Sequence, residues 1–381
     1  MVGYGSPRSL HPPSTSNPRK MPSFTESSAL FTPLQVGRVT LSHRIVLAPL
    51  SRSRATKDHV HTDLGVEYYS QRSSVPGSLL ISEGTPIHPQ AGTWLHAPYI
   101  HTDAQIQAWK KVRVVPTHQR FLSDLFVPQI VDAVHANGSY IFLQLWTLGR
   151  AADLELLKAE DPNFELVGPS AIPLSPSHPT PRPLTVEEIK TYVQWHAVAA
   201  DKAINKAGFD GVELHFACGF LMDEFLQDIS NQRTDEYGGS IENRARFPLE
   251  VLEAVTNAVG EDRVGFRISP WSPYLGMRME DPKPTFTYFV SQAKERFPNL
   301  AYLHAVEPRV IGPEDHECDE SETNDFLRKI WGDKVFISAG GHTPQIAAET
   351  ANKCGGLVAF GRHYIANVSL SPFIDLWWTK S

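Results

Sequence analysis

The sequence predicts an α/β fold, a single (β/α)8 TIM barrel with an N-terminal β-hairpin cap. Eight short, nearly continuous apolar runs alternate with segments of helical periodicity, as expected for parallel strands buried on both faces. Polar residues or glycines follow several of these runs, where α/β barrels place their active sites. No GxGxxG motif follows a strand, which disfavours a Rossmann dinucleotide-binding fold.

The elements follow one another along the chain in the order that a barrel requires. Residues 1–28 are rich in Ser and Pro, and we expect a disordered tail there. Residues 30–41 hold two short strand patterns around Gly37, which predicts a hairpin that closes one mouth of the barrel. Barrel strands are predicted at 45–48, 78–82, 140–145, 211–214, 264–268, 301–305, 335–339 and 357–360, and helices around 65–73, 104–136, 186–206, 241–259, 284–296, 322–331 and 344–353.

Two places depart from this regular alternation within the predicted barrel domain, residues 29–381. Residues 112–129 interrupt what would otherwise be one continuous helix. The segment begins with Val112 and ends with Gln129, whose codons can carry splice signals, so we interpret it as a retained short intron; a genuine surface insertion is the alternative. Only residues 365–381 remain for the last helix, so we also expect a truncated C-terminus.

Composition excludes several classes of function. The net charge of −7 over 381 residues offers no basic surface for nucleic acid. No apolar run approaches the roughly 20 residues of a membrane span. The three cysteines are an odd number without CxxC spacing, and the histidines show no metal-ligand spacing. We therefore expect a cytoplasmic protein without a metal site, and neither nucleic acid nor membrane as a partner.

The stretch from residue 208 to residue 247 contains the main candidate site. His215 lies where a short buried strand ends, and a long polar loop is predicted to follow it. Similar strand-end motifs occur elsewhere: Ala-Pro-Leu-Ser-Arg-Ser-Arg-Ala at 48–55, Phe-Leu-Gln-Leu-Trp at 142–146, and Phe-Gly-Arg at 360–362. A Gly-Gly pair after the seventh predicted strand could approach an anion closely through its N–H groups.

These motifs, together with Leu-Phe-Thr-Pro-Leu-x-Val-Gly at 30–37, His-x-x-x-Gly at 215–219 and residues 231–247, make the chain resemble the old yellow enzyme family of FMN-dependent ene-reductases. The resemblance extends to its fungal secondary-metabolism branch, which includes the chanoclavine-I aldehyde reductases/isomerases of ergot biosynthesis. It covers roughly residues 29–370 apart from 112–129. It implies FMN at the carboxyl mouth of the barrel, NADPH as reductant and a small α,β-unsaturated aldehyde or ketone as substrate.

The resemblance implies a role for each cofactor-binding residue. Arg267 would place a positive charge beside the flavin pyrimidine ring, and Gln144 would hydrogen-bond the edge of that ring. The Ser51 hydroxyl would reach flavin O4. Pro49, Leu50 and Gly84 would pack on the ring, and Gly340, Gly341, Gly361 and Arg362 would hold the phosphate.

The resemblance also implies the catalytic roles. His215 would polarise the substrate carbonyl so that reduced flavin N5 delivers hydride to the β-carbon, while Trp146 shapes the substrate pocket. Two positions depart from the family pattern. Cys218 replaces a second carbonyl donor, usually Asn or His, and Phe220 replaces the tyrosine that donates a proton.

Three functional interpretations remain open at this stage. The first is an NADPH-dependent ene-reductase, in which His215 and Cys218 contact the substrate. The second is a flavin-dependent alkene isomerase with no net redox change, because the resemblance associates Phe220 with isomerases. The third is a catalytically silent product of a faulty gene assembly, favoured by the interrupted helix and the short C-terminus.

Overall fold

The computed structural model describes residues 28–110 and 129–367. Residues 1–27, 111–128 and 368–381 lie outside the described part of the chain. The predictions of a disordered tail at 1–28, an insertion at 112–129 and a truncated C-terminus fall almost entirely on those residues and stay predictions.

Short strands and longer helices alternate along the described chain. The strands are β1 Leu34–Val36, β2 Val39–Leu41, β3 Ile45–Leu47, β4 Leu79–Ile81, β5 Thr85–Pro86, β6 Tyr140–Trp146, β7 Val167–Gly168, β8 Arg182–Pro183, β9 Gly211–His215, β10 Val264–Ile268, β11 Tyr302–Val306, β12 Val310–Ile311, β13 Glu314–Asp315, β14 Phe336–Ala339 and β15 Leu357–Phe360. The helices are α1 Asp63–Arg72, α2 Asp103–Trp109, α3 Ile130–Ala136, α4 Leu154–Glu160, α5 Val186–Asp201, α6 Leu221–Leu226, α7 Ile241–Val259, α8 Lys283–Arg296, α9 Asp325–Trp331, α10 Pro344–Cys354 and α11 Arg362–Ala366.

Eight parallel strands close into the predicted barrel. They pair in the order β4-β3-β15-β14-β11-β10-β9-β6, and β6 pairs again with β4 to complete the ring. Every one of these strands lies within one residue of its predicted bounds. The reason is physical: strands covered on both faces consist of apolar runs, which stand out against the amphipathic helices between them. The (β/α)8 prediction is confirmed.

The predicted helices are present among the described residues, but helices α4 and α6 were not predicted. Helix α7 has the predicted bounds, and the described parts of the predicted 104–136 helix form α2 and α3. The predicted polar loop after His215 is different, because it contains helix α6, all of whose residues are buried. Two acidic residues inside α6, Asp223 and Glu224, break its apolar pattern and concealed it in the sequence.

The N-terminal hairpin closes the amino-terminal end of the barrel, as predicted. Its strands β1 and β2 pair in antiparallel fashion around Gly37, whose backbone packs directly on the carbonyl of Asp262 and on Ala301. Val36 and Leu41 are completely buried within the core cluster that fills the barrel interior. The barrel is therefore closed at this end. None of the helices in residues 28–110 and 129–367 is long and apolar enough to cross a membrane.

Candidate active site

A cavity of about 770 Å³ opens at the carboxyl ends of the barrel strands. This volume falls in the range of about 300–1,000 Å³ that is usual for cofactor and substrate sites. All fourteen residues predicted for the site line it: Pro49, Leu50, Ser51, Gly84, Gln144, Trp146, His215, Cys218, Phe220, Arg267, Gly340, Gly341, Gly361 and Arg362. Residues from seven parts of the chain thus meet in one place, because the strands that carry them are parallel and end at the same mouth.

A tight turn after β9 positions the residues that depart from the family pattern. Cys218 and Gly219 both have positive φ angles, 61° and 77°, which are unusual for a cysteine and favourable for glycine. The Cys218 N–H donates to Ser269 Oγ at 2.7 Å, and the Gly219 N–H donates to the Asp223 carboxylate at 2.9 Å. The turn brings the ring of Phe220 back to the cavity wall.

His215 lies between two aromatic side chains. Its ring centroid is 6.3 Å from that of Trp146 and 5.0 Å from that of Phe220. Burial holds the pKa of His215 well below its usual value, and the charges of Arg267 and His304 act in the same direction. The imidazole is therefore neutral. Its buried Nδ1 has no hydrogen-bond partner among the described residues, so it is left for a ligand.

Arg267 provides a positive charge beside His215. The two residues are aligned partners on neighbouring strands β9 and β10. The buried Nε of Arg267 has no hydrogen-bond partner within the described residues, and its Nη1 lies 3.9 Å from Cys218 Sγ. Burial raises the pKa of the Cys218 thiol although Arg267 acts in the opposite direction. The cavity thus contains a guanidinium and a neutral thiol in contact.

A buried carboxylate beneath the cavity orients Gln144. Glu213 Oε1 accepts from Gln144 Nε2 at 2.8 Å, and Glu213 Oε2 accepts from His304 Nδ1 at 2.8 Å. Burial alone would raise the pKa of Glu213, but His304, Arg267 and Gln144 together hold it below its usual value. The ionised carboxylate fixes one N–H of the Gln144 amide, which leaves the amide oxygen and the second N–H for a ligand.

Glycines and arginines line the opposite part of the cavity. Gly340 has a φ of 114°, and a Cβ added there would lie 2.5 Å from Val310 Cγ2, so only glycine fits. Arg309 Nε donates to the Gly340 carbonyl at 2.8 Å. Arg362 pairs at 2.5 Å with Asp315, and both side chains are exposed. Glycine backbone beside two guanidinium groups forms a cradle suited to an anion such as a phosphate.

Sequence reasoning missed several residues that line the cavity, among them Trp94, Ser272, Tyr274, Arg309 and His342. Arg309 follows the end of β11 in the sequence Glu-Pro-Arg, so the strand-end rule that found His215 could have found it. Trp94 had no such signal, because it reaches the site only by packing on Trp146, with ring centroids 6.0 Å apart. Over residues 28–110 and 129–367, no group of three or more His, Cys, Asp or Glu side chains could hold a metal ion.

Comparison with known proteins agrees with this geometry. A sequence profile of the NADH:flavin oxidoreductase / NADH oxidase family matches residues 29–119 and 126–374. A chanoclavine-I aldehyde reductase of Penicillium roqueforti is 46% identical over 349 residues, which are 90% of this chain and 88% of the relative. An NADP-dependent oxidoreductase of Aspergillus flavus is 44% identical over 357 residues, which are 90% of this chain and 88% of the relative.

Solved structures show the same architecture. Old yellow enzyme from a Pichia species superposes with a TM-score of 0.80 at 36% identity. The superposition covers 92% of this chain and 87% of the Pichia enzyme. Morphinone reductase superposes with a TM-score of 0.79 at 37% identity, and the superposition covers 92% of this chain and 90% of morphinone reductase. The chain therefore belongs to the NADH:flavin oxidoreductase / NADH oxidase family and is an FMN flavoprotein of the old yellow enzyme type.

Proposed function

We propose that the protein is an ene-reductase that uses NADPH to reduce the C=C bond of an α,β-unsaturated aldehyde or ketone. One observation carries this proposal. A neutral, buried His215 lies between two aromatic rings with an unpartnered ring nitrogen, beside the fixed charge of Arg267. A neutral imidazole held in an apolar wall is suited to hydrogen-bond a carbonyl oxygen and stabilise negative charge that develops on it.

The residues present fit FMN. The unpartnered Arg267 Nε and the remaining hydrogen-bonding groups of Gln144 match a flat heterocycle that has both donors and acceptors and gains negative charge on reduction. Ser51 adds a hydroxyl, while Pro49, Leu50 and Gly84 add apolar lining against which the ring would pack. The cradle of Gly340, Gly341, Gly361 and Arg362 would hold the phosphate. When bound, FMN supplies hydride transfer from NADPH to the substrate.

The substrate's carbonyl would be held by His215 and its carbon chain by the aromatic wall. His215 donates an N–H to the carbonyl oxygen, which draws electron density from the β-carbon. Trp146 and Phe220, with ring centroids 4.8 Å apart and nearly perpendicular, exclude water from the double bond. Gly84 leaves the space that Trp146 occupies, since a Cβ there would lie 2.7 Å from Trp146 Cε3. Cys218 would contact the substrate on the side of Arg267.

The names of the relatives support the finer parts of the proposal. The Penicillium roqueforti relative is named an aldehyde reductase and the Aspergillus flavus relative an NADP-dependent oxidoreductase. A further relative, 45% identical and from Epichloe festucae var. lolii, bears the name "Probable inactive reductase". An aldehyde substrate and NADPH are thus the preferred choices for this chain.

Alkene isomerisation without net redox change is the second candidate. Phe220 carries no proton and lies at the wall of the cavity beside His215, where the family resemblance places a tyrosine. If no other group protonates the α-carbon, hydride returned to the cofactor would release an isomerised alkene.

Purification of the full chain, followed by anaerobic half-reactions, tests both candidates. We expect a yellow protein with one FMN per chain, bleached by NADPH and reoxidised by trans-2-hexenal with formation of hexanal. Isomerised hexenal with catalytic NADPH would instead establish the isomerase. A chain that binds FMN but is reoxidised by no enal would contradict both candidates and identify a silent flavoprotein.

We also propose a cytoplasmic location. Cys218, Cys318 and Cys354 are all free thiols, which is usual for proteins of a reducing compartment. A fluorescent fusion expressed in a fungal host should show diffuse cytoplasmic signal; a signal confined to an organelle would contradict the proposal.

Finally, we propose that residues 112–129 derive from an unspliced intron. Transcripts across this junction should then include a form that joins residues 111 and 130. If every transcript includes the segment that encodes residues 112–129, the intron proposal is wrong.

A further inference from the structure

The cavity lacks an acidic hydrogen where the family resemblance expects one, because position 220 is a phenylalanine. Another phenol lines the same cavity. Tyr274 lies in the loop that follows β10, and among the described residues that line the cavity it is the one tyrosine. No pattern in the sequence marked it, because it is seven residues beyond Arg267 and outside any regular strand.

The backbone of Tyr274 is held firmly. Its N–H donates to Ser272 Oγ at 3.3 Å. The carbonyls of the next two residues, Leu275 and Gly276, accept from Arg150 Nη2 at 3.4 and 3.3 Å. The Arg150 side chain is buried, so the donor of these hydrogen bonds is withdrawn from water. The loop is therefore pre-organised before any substrate arrives.

The position of this loop places Tyr274 next to the Cys218–Gly219 turn. A Cβ added at Gly219 would lie 3.0 Å from the Tyr274 carbonyl oxygen and 2.7 Å from Leu275 Cβ. On its other side, a Cβ added at Gly312 would lie 2.6 Å from Tyr274 Cε2, so the phenol ring packs directly against that glycine. Gly219 thus allows the backbone of this loop to approach the Cys218 turn, and Gly312 leaves room for the Tyr274 ring in the cavity that Cys218 and Phe220 also line.

The hydroxyl of Tyr274 makes no hydrogen bond to any of the described residues, so it does not hold the fold together. Burial raises the pKa of Tyr274 above its usual value, and the neighbouring Cys218 adds to the effect. The phenol is therefore protonated at neutral pH. Cys218 bears the other nearby acidic hydrogen, and its thiol lies against the Arg267 guanidinium.

We propose that Tyr274 is a catalytic residue that donates its phenolic proton to the α-carbon of the enal, the task that Phe220 cannot perform. The inference rests on the proposed reductase function. Hydride adds to the β-carbon, the C=C π bond breaks, and the resulting enolate takes the Tyr274 proton at its α-carbon. Water then reprotonates the phenolate. The sum is one NADPH and one proton consumed for each C=C bond reduced.

The test compares Tyr274→Phe with the wild type in three anaerobic half-reactions. These are flavin reduction by NADPH, reoxidation by trans-2-hexenal and reoxidation by 1,4-benzoquinone. A quinone takes its protons on oxygen, which exchanges directly with water, so it needs no donor to carbon. We expect reoxidation by hexenal to slow about 100-fold or more, since general acids typically contribute about 10²–10⁴-fold. The NADPH and quinone reactions should change by less than about threefold.

Two further variants make the result specific. Tyr288→Phe removes a hydroxyl from helix α8, away from the cavity, and should leave all three reactions unchanged. Phe220→Tyr in the Tyr274→Phe background restores a phenol at the neighbouring wall, and recovery of hexenal reoxidation would support proton donation. A merely structural role of Tyr274 would not be rescued in this way.

The outcomes distinguish failure of the Tyr274 proposal from failure of the proposed function. If the wild type is reduced by NADPH and converts hexenal to hexanal, but Tyr274→Phe does so equally fast, the proposal for Tyr274 alone is wrong. Equal slowing of the hexenal and quinone reactions would also overturn it, because a general loss of site geometry would then be the cause. If the wild type is not reoxidised by any enal, the proposed function fails as well.

Discussion

Arg309 illustrates how one side chain supports a part of the cavity that has almost no side chains of its own. Its Nε donates to the carbonyl of Gly340, and its Nη2 lies 3.2 Å from His342 Nε2. Burial lowers the pKa of His342 to about 3, and Arg309 and Arg328 act in the same direction, so this histidine stays neutral. The local charge of the glycine cradle is therefore that of Arg309, with Arg362 further out.

Replacement of Arg309 by alanine should weaken FMN binding. The variant loses a charged group near the proposed phosphate position and the hydrogen bond that fixes Gly340, so we expect the Kd for FMN to rise about tenfold or more. Fluorescence quenching on titration of the apoprotein with FMN measures this. Arg296→Ala, on the exposed face of α8, is the matched control. An unchanged Kd in Arg309→Ala would exclude Arg309 from phosphate binding.

Helix α6 is the element on which the arrangement of the site depends. It follows directly after Phe220, and its residues Asp223 and Glu224 are completely buried. Asp223 accepts from the N–H of Gly219 and from Gln227 Nε2 at 2.8 Å, while Glu224 Oε1 accepts from the Arg150 N–H at 2.9 Å. Two carboxyl groups thus tie the turn of the active site to the loop after β6, at the cost of buried acidic groups.

The stability contributed by Asp223 should depend on pH. Burial raises the pKa of Asp223 from 3.8 to about 7. Between these values the folded state holds a proton that the unfolded state has released, so the free energy of unfolding falls as pH rises through this window. We expect the stability of the wild type relative to Asp223→Asn to fall by a few kcal/mol between about pH 5 and about pH 8.

Chemical denaturation of both proteins at a series of pH values measures this difference. Comparison with the Asn variant cancels the other groups with shifted pKa values, including Glu83, whose pKa burial raises to about 7. A relative stability that is constant or increases with pH would show that Asp223 is ionised in the folded protein.

The architecture and much of the site were readable from the sequence because the barrel repeats one rule at every strand. Apolar runs mark the strands, and polar residues just beyond them, such as His215, mark the mouth. Residues that reach the cavity across the fold left no such local mark. Trp94 and Tyr274 lie in loops whose paths depend on tertiary packing, and α6 was concealed by acidic residues that only a buried hydrogen-bond network can accommodate.

At the scale of the whole molecule, the barrel has one open end and one closed end. The hairpin fills the amino-terminal end with Val36 and Leu41, and the cavity occupies the carboxyl end. The buried side chains of the barrel interior separate the two. Stability and chemistry therefore depend on opposite ends of the same strands, as is general for this fold.

Leu41→Ala should separate these two properties. Leu41 is completely buried, so its truncation leaves a cavity and should lower the free energy of unfolding by about 2–5 kcal/mol. The visible spectrum of bound FMN and the rate of its reduction by NADPH should stay unchanged. Thr40→Ala, at the exposed position next to it in β2, is the matched control. Loss of FMN from a folded Leu41→Ala protein would show that the two ends are coupled.

The pair of left-handed residues at Cys218 and Gly219 has a consequence for how such an enzyme can diversify. The hydrogen bonds that hold the turn come from main-chain N–H groups, through Ser269 and Asp223, while the side chains at 218 and 220 contact the cavity wall. A mutation at either position can therefore exchange the reagent presented to the substrate while the path of the chain stays the same. After gene duplication, we expect new products to arise by single substitutions at these positions, at 218 among residues that tolerate a positive φ, such as Asn or His.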